Sequence, residues 1–186
     1  MKPTSISTGN AVATVPKLKT HHKTYLYKEI LSPVGKLTIV STEAKLAAIL
    51  WERERPGRVK LGPLEEATRE PVLLDIERQL GEYISGGRET FDIELCFEGT
   101  AFQKKVWSAL LEIPYGQTRT YAEIARHIGQ PTAVRAVGAA NGRNPISIIA
   151  PCHRVIGSNG QLTGFAGGLS AKQTLLSLEG AKWANG

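Results

Sequence analysis

Cysteine is scarce in this chain of 186 residues, which holds two, Cys96 and Cys152. Two thiols are too few for a disulfide framework or a four-thiolate zinc site. Long apolar runs are missing too. No stretch reaches the roughly 18 apolar residues of a membrane-spanning helix, so no membrane role is expected. The first residues lack the apolar centre of a signal peptide. A secreted disulfide module, a zinc ribbon and a transporter are thereby set aside. The expected compartment is cytoplasmic: beside a nucleoid in a prokaryote, with the nucleus open in a eukaryote. Free thiols survive there.

Acids are scarce in one region only. Residues 100–186 hold nine basic side chains against Glu112, Glu123 and Glu179, a net charge of +6. Residues 25–99 hold ten basic and fourteen acidic residues, net −4, and residues 1–24 hold four lysines and no acid. A basic half on an acidic partner favours polyanions, nucleic acid first. A charged surface kept for solubility accounts for the same numbers. With 41% hydrophobic residues the chain can build a real core.

Three segments follow from pattern. Residues 1–24, rich in Ser, Thr and Lys without apolar period, are expected to be a disordered basic tail. Residues 25–98 read as a small α/β domain. Strands are expected over 25–31, 36–42 and 46–51, the first two separated by the turn Ser32-Pro33-Val34-Gly35. A loop or partly helical linker fills 52–70. A helix covers 71–85, with Leu73, Ile76, Leu80, Tyr83 and Ile84 on one face, and Phe91–Leu95 alternates as a further strand. Residues 99–186 are written in helix starts. Thr100-x-x-Gln103, Thr120-x-x-Glu123 and Ser170-x-x-Gln173 match the capping box, and Thr132 is placed to cap a helix over 133–141.

Helices over 121–128 and 133–141, joined through Gly129-Gln130-Pro131, have the form of a helix-turn-helix. The second, Ala133-Val134-Arg135-Ala136-Val137-Gly138-Ala139-Ala140-Asn141, is small-sided with one long basic residue. Such a helix suits tight internal packing. It also suits a nucleic-acid groove, with Arg135 able to enter a base stack. Reading a sequence in the major groove usually takes several polar side chains. This helix offers few, which favours minor-groove binding with little sequence preference.

The most informative stretch is Asn144-Pro145-Ile146-Ser147-Ile148-Ile149-Ala150-Pro151-Cys152-His153-Arg154-Val155. An apolar run ends on Pro and then presents Cys-His-Arg. The thiolate is the nucleophile, and a neighbouring His or cation favours it. Cys96, between Leu95 and Phe97, reads instead as a small buried hydrophobe. His153 can also be a satisfied core histidine, and Arg154 can pair with a buried acid or cap carbonyls. Glu179 sits late on the last helix, where a carboxylate is unfavourable. A partner such as His153 would explain it, and so would chance surface placement.

These motifs, in order, resemble the O6-alkylguanine-DNA alkyltransferases. The resemblance runs through Gly99-Thr100-x-Phe102-Gln103, Val106-Trp107, Ile113-Pro114-x-Gly116, Tyr121, Arg135-Ala136-Val137-Gly138, Asn144-Pro145, Pro151-Cys152-His153-Arg154-Val155 and Gly164-x-x-Gly167-Gly168-Leu169. It implies an α/β (α+β) chain. A ribonuclease-H-like domain would be followed by a helical domain carrying the helix-turn-helix. It implies single-turnover transfer of an alkyl group from O6-alkylguanine in double-stranded DNA to Cys152, after base flipping, by a monomer with no cofactor and no metal. The resemblance assigns His153 to take the thiol proton through a water, Glu179 to orient it, and Asn144 to order the turn. Tyr121 would contact the flipped nucleotide, and Arg135 would fill the gap, on a helix surface that includes Ala136 and Gly138. Val155, Phe165 and Ala166 would line the base pocket. Phe165 stands where many relatives have Tyr, so that wall lacks a hydroxyl.

Two rivals remain from other classes. A cysteine hydrolase would hold its His far from its Cys in sequence and would turn over. A DNA-binding regulator without transfer activity would not need Cys152.

Overall fold

The computed structural model describes residues 23–184. Nearly all of the expected tail, residues 1–22, lies outside the described residues. Strands β1 (Tyr25–Ser32), β2 (Gly35–Thr42) and β3 (Lys45–Trp51) form an antiparallel meander, and β4 (Leu64–Glu66) adds parallel to β1, giving the order β3-β2-β1-β4. Helix α1 (Pro71–Ile84) packs Leu73, Ile76, Leu80 and Tyr83 on one sheet face, against Leu37, Ile39, Leu46 and Ile49. Full burial of each such side chain stabilises by roughly 1.5–3 kcal/mol.

β4 corrects the reading of 52–70 as a loop or helical linker. Three exposed residues, Leu-Glu-Glu, give no alternation to detect, and the strand exists because β1 offers a free edge. Phe91–Leu95 is corrected in the other direction. The segment is extended, but only Leu95 bridges to the sheet, at Leu46. The buried amide of Gln79 takes the partner's place: its Nε2 donates to the Asp92 carbonyl at 2.9 Å and its Oε1 accepts from the Asp92 N–H at 2.9 Å. Cys96 is half-buried rather than an apolar filler, its sulfur accepting from Lys23 Nζ at 3.3 Å.

The second half begins with α2 (Ala101–Leu111), followed by β5 (Arg119–Thr120), α3 (Tyr121–His127) and α4 (Val134–Asn141). Both expected boxes at Thr100 and Thr120 are formed in full. Thr132 caps nothing. Ala133 N–H closes a turn on the Gln130 carbonyl at 2.9 Å, so the helix starts one residue later without a side-chain cap. The two readings of α4 divide by face. Val137 and Ala140 are buried, and the Ala140 carbonyl accepts from Trp107 Nε1 at 2.8 Å, whereas Arg135, Ala136 and Ala139 are exposed.

A 3-10 turn over Cys152–Arg154 leads into β6 (Val155–Ile156), which pairs with β5, and α5 (Gly168–Leu178) closes the chain. Ser170 is not the cap of α5. A turn from Phe165 to Gly168 starts the helix earlier, with Gly167 at the cap position, leaving Ser170 inside it. Gly167 lies on Trp51, where an added Cβ would fall 2.4 Å from the indole. No described helix is long and apolar enough to cross a membrane.

What positions Cys152 is the buried loop before it. Ile146, Ile148 and Ile149 belong to the same core as the sheet, and Ile49 N–H on β3 donates to the Pro145 carbonyl at 2.9 Å. Ile148 sits at φ +75°, unusual for a β-branched residue. Such strain costs about 1–3 kcal/mol and persists only where the surroundings hold it.

Candidate active site

Cys152, His153, Arg154 and Glu179 are all buried. Glu179 is the centre. Its Oε1 accepts from Tyr83 Oη at 2.5 Å, His153 Nε2 at 2.8 Å and Arg154 Nη2 at 2.8 Å. Its Oε2 accepts from Arg154 Nε at 2.8 Å and the Gly116 N–H at 3.3 Å. Gly116 has φ +72°, and an added Cβ would lie 2.9 Å from the Glu179 carbonyl, so no other residue fits this approach. Arg154 also donates to the Ile113 carbonyl at 2.5 Å, so both roles left open for it are filled. A carboxylate misplaced for its helix is explained by five donors from four residues on three segments.

The charges follow. Burial works against ionised Glu179, but hydrogen bonds from His153 and Arg154 outweigh it and hold the carboxyl at about 2 against an ordinary 4.5. Burial depresses His153 despite the opposing pull of Glu179, so the resting imidazole is neutral. With Glu179 ionised, Nε2 carries the proton and Nδ1 is the basic nitrogen. Nδ1 is buried and has no hydrogen-bond partner among the described residues.

Cys152 rests as a thiol. Burial pushes its thiol up, outweighing the lowering influence of nearby Asn144 and Ser147 and of the charges of Arg58 and Lys172. The thiol is therefore neutral at rest, and its proton leaves during the chemistry. Arg154, expected to help form the thiolate, spends its charge on Glu179. Asn144 braces the strained loop: Nδ2 donates to the Ala150 carbonyl at 2.7 Å and Oδ1 accepts from the Ile146 N–H at 3.0 Å.

The remaining predicted residues lie nearby in two groups. Tyr121, Gly138, Phe165 and Ala166 line one hollow of about 430 Å³. Tyr121 Oη shares a hydrogen bond with Thr163 Oγ1 at 2.8 Å, and Phe165 meets Trp51 and His153 edge-on at 5.2 and 6.3 Å between ring centroids. Arg135 and Ala136 stand outside it, on the exposed face of α4. Val155 is buried, and its carbonyl already accepts from Lys172 Nζ at 2.6 Å, leaving one lone pair for a base.

Four residues escaped the sequence. Tyr83 shows in the sequence only as part of an apolar helix face. Arg58 comes from the loop after β3 and donates to the Asn144 carbonyl and, at 3.1 Å, to the Ile49 carbonyl. Ser147, buried within the apolar run, lies near enough to Cys152 to lower its thiol. Lys172 did leave a signal, since it falls three and four residues before Leu175 and Leu176, on the inward face of α5. Burial lowers it to about 8. No group of three or more His, Cys, Asp or Glu among the described residues is placed to hold a metal ion.

The DNA-binding domain of 6-O-methylguanine DNA methyltransferase matches residues 101–181, and the ribonuclease-like domain of the same family matches residues 25–97. The chain is 50% identical over 151 residues to the methylated-DNA–protein-cysteine methyltransferase of Methanosarcina acetivorans, covering 81% of this chain and 95% of that protein. This chain belongs to the 6-O-methylguanine-DNA methyltransferase family. The methyltransferase of the same name from Mycobacterium tuberculosis H37Rv is 48% identical over 155 residues, covering 82% of this chain and 91% of the relative. The crystal structure of Mycobacterium tuberculosis OGT in complex with DNA superposes with a TM-score of 0.76 at 45% identity, over 83% of this chain and 92% of that one. The order of a sheet domain followed by a helical one, matched by these relatives, is the one described above.

Depressed Glu179 sets a pH limb for stability. A carboxyl lower in the folded than in the unfolded chain stabilises fully above its unfolded value and loses this as pH falls through its folded value. Urea midpoints should therefore fall from pH about 4.5 toward 2. Glu179→Gln should flatten that limb. An unchanged limb in the variant would assign it to other carboxylates.

Proposed function

We propose that this protein repairs DNA by direct reversal, as a methylated-DNA–[protein]-cysteine S-methyltransferase acting once on itself. The observation that carries this is a buried Cys152 beside a neutral His153 whose Nε2 is bound to ionised Glu179 and whose Nδ1 is left basic. The DNA-bound relative supports DNA as the partner.

The helix-turn-helix approaches the minor groove with little sequence preference, and the damaged guanine turns out of the stack into the hollow beside Tyr121 and Phe165. Arg135 takes its place in the stack. His153 Nδ1, by way of a water, accepts the thiol proton, and Glu179 stabilises the imidazolium. The Cys152 sulfur attacks the methyl carbon, the carbon–oxygen bond breaks, and the proton ends on guanine. The product is a thioether, which no described group is placed to cleave. Residues 25–98 and 99–186 are the two working units, residues 1–24 a basic tail, and the cytoplasm the compartment.

The cysteine hydrolase reading loses ground because, among the described residues, the only His at Cys152 is its neighbour, already paired with Glu179. A Cys152→Ala protein should bind duplex DNA within about threefold of wild type and transfer no methyl group. Loss of binding along with transfer would mean that nucleophile and DNA surface are not separate parts.

A further inference from the structure

Arg53 and Arg55 belong to the loop between β3 and β4, on the sheet side of the molecule. Both nevertheless line the hollow that holds Tyr121, Gly138 and Phe165. The loop's own folding explains their aim. Glu54 turns inward, its Oε2 accepting from the Trp51 N–H at 3.1 Å and from Arg58 Nη2 at 2.9 Å. Arg58 in turn is tied to the carbonyls of Ile49 and Asn144. With Glu54 and Arg58 committed inside, Arg53 and Arg55 are left exposed. Neither pairs with an acid among the described residues. No carboxylate lines this hollow, and Glu52 faces the neighbouring one.

We infer that Arg53 and Arg55 are a second grip on DNA, borne by the sheet domain, which holds backbone phosphates of the strand whose nucleotide enters the hollow. The inference rests on the proposed function and deepens it. A guanidinium offers a fork of donors that fits phosphate two bonds at a time. Two such forks beside an acid-free hollow make an anion site. Its continuity with Tyr121 and α4 makes the anion a nucleic-acid phosphate. The N-terminal domain then closes on DNA from the side opposite the helix-turn-helix, and the Arg58 anchor fixes that grip to the same turn that carries Cys152.

The test is the salt dependence of duplex binding by the full chain, measured by fluorescence anisotropy between 50 and 200 mM salt. Each lost phosphate contact lowers the slope of log affinity against log salt by about 0.9. Arg53→Ala/Arg55→Ala should lower it by about 1.8 and weaken binding on the order of tenfold. Arg69→Ala, an exposed arginine beyond β4 at the far edge of the sheet, controls for bulk charge and should leave the slope nearly unchanged. The double variant should also lower the ratio of transfer rate on methylated duplex to that on free O6-methylguanine. A wild-type slope in the double variant, or an equal drop in Arg69→Ala, overturns the grip. If wild type itself fails to accept a methyl group, the functional reading falls, while the slopes still decide whether these arginines hold DNA.

Discussion

Glu179→Ala should lower the free energy of unfolding by about 3–5 kcal/mol, the range for removing one partner of a buried ion pair. Among the described residues the carboxylate is the sole acid at Arg154, whose guanidinium is almost wholly buried. Truncation strands that charge together with the Tyr83 hydroxyl and the Gly116 N–H, both of which donate to Glu179. Glu179→Gln keeps the shape and one acceptor and should fall between. Urea unfolding at pH 7 measures both, and a loss below about 1 kcal/mol in the Ala variant would mean that Arg154 finds another partner. Where the variants stay folded, transfer should slow on the order of 10²–10⁴-fold, the usual worth of a positioned proton acceptor. His153 would lack the anion that keeps its proton on Nε2 and stabilises it once charged.

Arg135→Ala should cut the ratio of transfer rate on duplex to that on free O6-methylguanine on the order of 100-fold. Extruding a base costs a few kcal/mol of stacking and pairing, and about 1.4 kcal/mol corresponds to a factor of ten. Arg135 is the one long side chain on the exposed face of α4. If it fills the vacated stack, its loss removes most of that compensation on duplex and none on the free base. Single-turnover rates on both substrates give the ratio. An unchanged ratio would mean that Arg135 does not fill the stack.

The sequence made the line of the site legible but not its depth. Cys152, His153 and Asn144 stand together in one segment, and a run that breaks from apolar to Cys-His-Arg marks itself. Glu179 could be suspected because a carboxylate is out of place at a helix end. The bonds that explain it come from α1, the Ile113–Gly116 turn and Arg154, which meet only in the folded chain. Charge is hidden for the same reason. Arg154 next to Cys152 in sequence looks like the group that favours a thiolate, yet it is neutralised by Glu179, while Arg58 and Lys172, distant in sequence, act on the sulfur. Among the elements, the capping boxes at Thr100 and Thr120 read correctly because both partners are local. The box at Ser170 failed because packing of Gly167 on Trp51 fixes where α5 starts, and that contact spans more than a hundred residues.

On the proposed function, Cys152 is a neutral buried thiol that becomes a permanent methyl acceptor. Intact mass spectrometry after incubation with duplex DNA carrying O6-methylguanine tests it most directly. Each chain should gain one methyl group, mapped to Cys152, with no second turnover when substrate is in excess. Unchanged mass in folded protein, a methyl group on Cys96, or continued turnover would contradict it.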